Sequence, residues 1–227
     1  MRGGTAALMA AVAKLADTDF AEPSMLPGWS RAHLIGHLAR NAEALTRLAT
    51  WARTGHETPM YTSSDQRGQE IESSARYPVS KLRAELASTA SDLDAALAGL
   101  RHGEWQAMVR SALGRSIPAA EIPWMRCREV WLHAVDLGSG GSTTDFPPEL
   151  VDILIDDVTD TLSKKGGCPC ATLTATNRGL TWRLGPGDAE HDVSGAAAEL
   201  AAWLTGRSSG ASLSAQPYGL PRVPNWL

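Results

Sequence analysis

The sequence predicts an α+β protein in which an N-terminal four-helix bundle precedes a small C-terminal mixed α/β domain. Three observations carry this expectation. Four stretches before Leu137 repeat their apolar residues at helical spacing, a Gly/Ser-rich run from Gly138 to Asp145 interrupts the pattern, and two-residue alternation appears only beyond it. With 227 residues, 43% hydrophobic and 20% charged, the chain is long enough to bury a substantial core in one or two domains.

The helical stretches fall at about residues 5–16, 31–54, 79–100 and 122–137. Ser30 is placed to cap the second, where Leu34, His37, Leu38, Asn41, Leu45 and Leu48 form one stripe facing a core. The run Gly55-His56-Glu57-Thr58-Pro59-Met60-Tyr61 follows as a long loop, either a pocket wall or a solvated connector. The domain boundary sits in the Gly/Ser run, giving a metal-binding bundle over residues 1–140 and an α/β domain over 146–227. In the second domain a helix over 148–163 places Leu150, Ile153, Leu154, Val158 and Leu162 on one side. Strands over 171–176 and 180–184 join through Asn177-Arg178-Gly179 as a hairpin, and a short strand follows at 190–193. Ser194 is the expected N-cap of a last helix that starts softly at Gly195 and ends at Trp203-Leu204, before Thr205-Gly206-Arg207.

Composition excludes several partner classes. A net charge of -4 offers no basic field for nucleic acid. Residues 6–13 faintly resemble a signal sequence, but Lys14 and Asp17 interrupt them and no convincing cleavage motif follows, so a first bundle helix is expected, with a signal peptide as the lesser alternative, and no membrane association. Cys127, Cys168 and Cys170 are too few and too unevenly spaced for a secreted disulfide framework, which points to a reducing cytoplasm. The isolated Cys168-Pro169-Cys170 is weak evidence for metal binding or a disulfide, and Cys127 is expected to be a packed thiol.

The chemistry concentrates in Arg128-Glu129-Val130-Trp131-Leu132-His133-Ala134-Val135-Asp136. Glu129 and His133 project from one helix face a turn apart, among apolar neighbours, so the acid needs a partner. That partner is a divalent metal or, alternatively, the histidine alone in a polar gap of the bundle. His37 offers a third ligand from the core stripe of the second helix. Its neighbour His33 cannot begin a zinc-protease motif, because Leu34 follows it where H-E-x-x-H requires Glu. Two histidines and one carboxylate suit a catalytic zinc with an open fourth position, and also non-haem iron, nickel or manganese. Asp136, a turn beyond His133, is placed either to orient an imidazole or to serve as an interhelical acid.

Four segments together resemble the mycothiol-dependent maleylpyruvate isomerases. They are Gly28-Trp29-Ser30-Arg31-Ala32-His33-Leu34-Ile35-Gly36-His37, Glu57-Thr58-Pro59-Met60-Tyr61, the run from Trp124 to Leu137, and Leu204-Thr205-Gly206-Arg207. The W-x7-H and E-x3-H elements mark the wider DinB-like thiol-dependent group, while the Glu57-Thr58-Pro59-Met60-Tyr61 loop and the long run from Trp124 to Leu137 point more narrowly to the isomerase. The resemblance implies a DinB-like bundle holding zinc through His37, Glu129 and His133, with a functionally important arginine at Arg207. It further implies mycothiol as cofactor, maleylpyruvate as small-molecule substrate and a place in gentisate degradation. In that chemistry the metal makes thiolate available without a protein cysteine, the thiolate adds to the conjugated cis double bond, and expulsion after rotation leaves fumarylpyruvate.

Arg207 is then expected to grip a substrate carboxylate through two parallel hydrogen bonds, the alternative being a cap on its own helix. Two other readings stay open: a mycothiol S-transferase acting on another electrophile, and a non-catalytic module whose metal only stabilises the bundle. His56 and Tyr61 are candidates for ligand contact. The tryptophans at 105, 124, 131, 182 and 203 are expected to pack, and His102 and His191 have no supporting partners in the sequence.

Overall fold

The computed structural model describes residues 1–226, so only Leu227 of the predicted second domain lies outside the described residues. Two compact units divide the chain, Met1–Gly141 and Ser142–Leu227.

The first unit is built on α1 (Arg2–Ala13), α2 (Arg31–Thr54), α4 (Val79–Ala98) and α5 (Ile122–Asp136), as the periodicity predicts. In it α2 packs along α4 and α5, and α1 packs against α5 and α4. Apolar residues from these helices, Leu8, Leu34, Ile35, Leu38, Leu82, Leu86 and Val130 among them, form one buried cluster, and a second gathers around Leu45, Leu48, Leu93 and Ile122. The first helix starts three residues earlier than expected. Gly3 and Gly4 are poor helix formers, but Gly4 is buried so tightly on α5 that a Cβ would come within 2.5 Å of Val130, so packing overrides propensity.

A helix and a short hairpin of this unit escape the sequence pattern. Between α2 and α4 lies α3 (Ser64–Ser74), where a loop was the expectation. Its sequence is polar, but Ile71 and Ser74 are buried, and Ser74 approaches α2 so closely that a Cβ on Gly36 would sit 2.6 Å from its own. The strands β1 (Met108–Arg110) and β2 (Ser116–Pro118) form an antiparallel hairpin with Val109 opposite Ile117, too short to show alternation.

In the second unit α6 (Pro148–Ser163) precedes β3 (Ala171–Ala175), β4 (Leu180–Leu184), β5 (His191–Gly195), α7 (Ala197–Leu204) and β6 (Ser214–Gln216). The sheet order is β4-β3-β5-β6; β3 and β5 run parallel and the outer pairs antiparallel. The hairpin at Asn177-Arg178-Gly179 forms as predicted, with Ala175 opposite Leu180. The helices α6 and α7 pack on each other, α6 also on β4 and α7 on β3 and β5.

The start of α7 and the buried face of α6 differ from expectation. Ser194 does not cap α7: it and Gly195 belong to β5, and Ala196 is the N-cap. The first helical amide, Ala197 N–H, instead donates to Asn177 Oδ1 at 3.0 Å, a tertiary cap supplied by the hairpin turn. On α6 the buried stripe is Val151, Leu154, Ile155, Val158 and Leu162, while Ile153 is 51% exposed, because the register is set one position around the helix from that read in the sequence. Among the described residues no helix is long and apolar enough to cross a membrane.

Candidate metal centre

The N-terminus of α2 is fixed by reciprocal capping. Ser30 accepts from the His33 amide, and His33 Nδ1 lies 2.7 Å from Ser30 Oγ. This occupies His33 at the helix start, with Nε2 3.5 Å from Glu72, so it takes no part in the cluster a turn later. His37 is buried, 3% exposed, with the Trp29 ring 5.4 Å away.

On α5 the four-residue spacing of Glu129 and His133 does what helical geometry requires. Glu129 Oε2 lies 3.2 Å from His133 Nε2 and 2.9 Å from His37 Nε2, and the two imidazoles stand nearly perpendicular with centroids 5.1 Å apart. The three donor atoms are all within 4.8 Å of one another. His133 Nδ1 is in turn 2.8 Å from Asp136 Oδ2, whose residue is 1% exposed. The acid after the motif is therefore aimed at the imidazole, not at solvent.

The proton inventory exposes the nature of this cluster. Asp136 demands a hydrogen on His133 Nδ1, and Glu129 demands another on Nε2, which makes the ring a double donor, an imidazolium. Burial alone would lower the His133 pKa, but Asp136 and Glu129 together raise it above the ordinary imidazole value. Desolvation likewise opposes charge on Glu129, yet the two histidines hold its carboxyl well below the usual range. His37 goes the other way: burial lowers it more than Glu129 raises it. A carboxylate facing two ring nitrogens, with a proton between, is a donor set suited to a divalent cation in the proton's place. Zinc ligands at about 2.0–2.2 Å in a tetrahedron stand about 3.3–3.6 Å apart, only slightly wider than the distances seen here. The further carboxylate on the distal nitrogen is the outer support that ligating histidines usually have. The residues present fit a metal.

Around the cluster are Tyr61, already a candidate for ligand contact from the sequence, and arginines that the sequence pattern did not single out. Tyr61 carries the end of the loop after α2; burial raises its pKa, Arg67 of α3 hydrogen-bonds its hydroxyl, and it lies within electrostatic reach of Glu129. Arg47 supports that loop through the Met60 carbonyl. Arg126, one turn before Glu129, is 1% exposed. Its i,i+3 spacing to Glu129 was visible in the sequence, but a buried arginine is rare enough that spacing alone did not suggest it.

Other sequence candidates lie apart. His56 is exposed, and the three cysteines are free and half-buried. Cys127 does not belong to the donor group. Trp203 is buried and Trp182 donates to Asp156, both packing roles. Arg207, in the second unit, follows Gly206, which ends α7 with φ +76, and donates from Nη1 to the Thr205 carbonyl at 2.8 Å.

The family description "mycothiol maleylpyruvate isomerase N-terminal domain" matches residues 1–138, more than half of the chain. The chain belongs to this family. A crystal structure of mycothiol-dependent maleylpyruvate isomerase agrees with it at a TM-score of 0.93 and 34% identity, over 99% of this chain and 93% of that one. A histidine-to-alanine mutant of mycothiol-dependent maleylpyruvate isomerase gives the same values. No curated protein sequence matches. The mycothiol maleylpyruvate isomerase family match spans the helices that carry His37, Glu129 and His133, and the structural likeness extends the α+β resemblance through the second unit.

Proposed function

We propose that the protein isomerises maleylpyruvate to fumarylpyruvate, with zinc or another divalent metal and mycothiol, as a step of gentisate degradation in the cytoplasm. The observation that carries this reading is the convergence of His37, Glu129 and His133 within a member of this isomerase family. A metal held by these three side chains supplies a Lewis acid that lowers the pKa of a bound thiol, and mycothiol supplies the thiol nucleophile.

The chain's own residues prepare the site for that chemistry. Asp136 accepts from His133 Nδ1 and so aims Nε2 at Glu129, where a metal would take the place of the shared proton. Glu129 stays ionised, so it brings a negative charge to a metal without first losing a proton. Tyr61 keeps its proton at neutral pH and can donate from the loop side. No cysteine is needed as nucleophile. Arg207 is proposed to hold a substrate carboxylate, on the strength of the family resemblance and the planar fork of its guanidinium.

The test is an anaerobic assay of purified protein with maleylpyruvate, with and without mycothiol and before and after metal removal. Turnover that needs both metal and thiol is expected. Metal-loaded protein that leaves maleylpyruvate unchanged in the presence of mycothiol, but conjugates mycothiol to another electrophile, would replace the isomerase by an S-transferase.

A further inference from the structure

The metal cluster leaves one buried cation unused. Arg126 Nη1 donates to the Leu38 carbonyl and to Asn41 Oδ1, each at 2.8 Å, which fixes the guanidinium against α2 just beyond His37. Its Nε and Nη2 have neither solvent contact nor a hydrogen-bond partner among the described residues. These two nitrogens form a single edge of the guanidinium, with parallel N–H bonds whose spacing matches the two oxygens of a carboxylate. Donors on a charged group are seldom left unpaired in an interior, where they are most unfavourable.

We propose that Arg126 is a specificity-determining residue whose Nε/Nη2 edge receives a carboxylate of the acid substrate beside the His37–Glu129–His133 site. This rests on the isomerase reading for the identity of the acid. Three further features support it. Arg126 stands three residues before Glu129 on the same face of α5, and its charge is felt by Glu129 and by Tyr61. Burial lowers its pKa to about 10, so it is still a cation at neutral pH. Its anchor on α2 is the neutral amide of Asn41, which orients the guanidinium without consuming its charge. Entry to an edge with no solvent contact requires a neighbouring side chain to move.

The discriminating variant is Asn41→Asp, nearly isosteric and still an acceptor for Nη1, but neutralising Arg126. Arg126→Lys accompanies it, keeping the charge and losing the fork. Both are compared with wild type by circular dichroism, metal content, KM and kcat for maleylpyruvate with mycothiol, and calorimetric binding of maleate to the metal-loaded protein. The expected result is a rise of tenfold or more in KM and in the maleate Kd for both variants, at unchanged metal content. A mere brace between helices would be kept or strengthened by Asn41→Asp, so an unchanged KM and maleate affinity in that variant overturns the assignment while leaving the isomerase reading intact. If wild type binds maleate without isomerising maleylpyruvate, and Asn41→Asp abolishes binding, the isomerase reading fails and the carboxylate site stands.

Discussion

Removing Asp136 isolates how much the proposed metal centre depends on the group behind His133. The Asp136 carboxylate sits 2.8 Å from His133 Nδ1 with its side chain 2% exposed, so water cannot easily replace it. In Asp136→Ala the imidazole loses the contact that fixes both its rotation and the tautomer presenting Nε2. Outer partners of ligating histidines are worth 10–100-fold in metal affinity, which corresponds to about 1.4–2.8 kcal/mol. The metal-free protein should lose about 1.5–3 kcal/mol of its own, as a buried charge-assisted hydrogen bond disappears. Asp136→Asn separates the contributions: its amide oxygen still accepts from Nδ1–H, so orientation persists and only the charge is lost, and its metal affinity should lie between the other two. The assay is competition for zinc against a chromophoric chelator, with urea unfolding of the metal-free proteins alongside. Wild-type metal affinity in a folded Asp136→Ala protein would refute the argument, because His133 would then be oriented without its partner.

Replacing His37 or His133 by Ala, or Glu129 by Gln, should each reduce bound metal to well below one equivalent while the helical circular dichroism is retained; full occupancy in any of them removes that residue from the ligand set. A triple Cys127→Ser, Cys168→Ser, Cys170→Ser variant should keep the mycothiol-dependent rate, and loss of that rate with intact fold and metal would point to a protein thiol. Arg207→Ala and Arg207→Lys should lower turnover tens to about a thousandfold with metal content unchanged, the loss of about 2–4 kcal/mol of transition-state stabilisation. Wild-type rates in both would return Arg207 to the cap suggested by its bond to the Thr205 carbonyl. Gly36→Ala should gain about 1 kcal/mol of helix propensity but lose about 1–3 by pushing Ser74 and α3 from α2, a net drop visible as a lower urea midpoint.

How much was legible in the sequence depended on the range of the interaction concerned. The bundle helices announced themselves because their burial repeats every turn, and Ser30 because a cap acts within three residues. Glu129, His133 and Asp136 share one helix, so spacing alone brings them together, whereas the link to His37 crosses 92 positions and was carried by the resemblance and a core stripe. What stayed hidden was held by tertiary contacts with little local signature. The polar α3 is stable only because it seats against α2 at Gly36, and α7 begins at Ala197 because a distant Asn177 accepts its first amide hydrogen. Ser194 had the chemistry of a cap but lies in a strand paired on both sides.

The ionisable stripe on α5 is patterned against both solvent exposure and stability. Arg126, Glu129, His133 and Asp136 follow one another at spacings of three, four and three, alternating cation, anion, ionisable base, anion along one face. On a solvated helix such a pattern is ordinary, each pair contributing about 0.3–0.5 kcal/mol. Here Arg126 and Asp136 are both 1% exposed, and the desolvation of buried ions commonly exceeds what their pairing returns. Apolar side chains of similar volume would give a more stable bundle at the same positions. The facing stretch of α2 answers residue by residue, His37 to Glu129, Leu38 and Asn41 to Arg126, so the polarity is specified on both helices. A stripe that costs stability and is matched across two helices is better explained by binding than by folding, and its middle, between two imidazoles and a carboxylate, has the donor set to hold a cation.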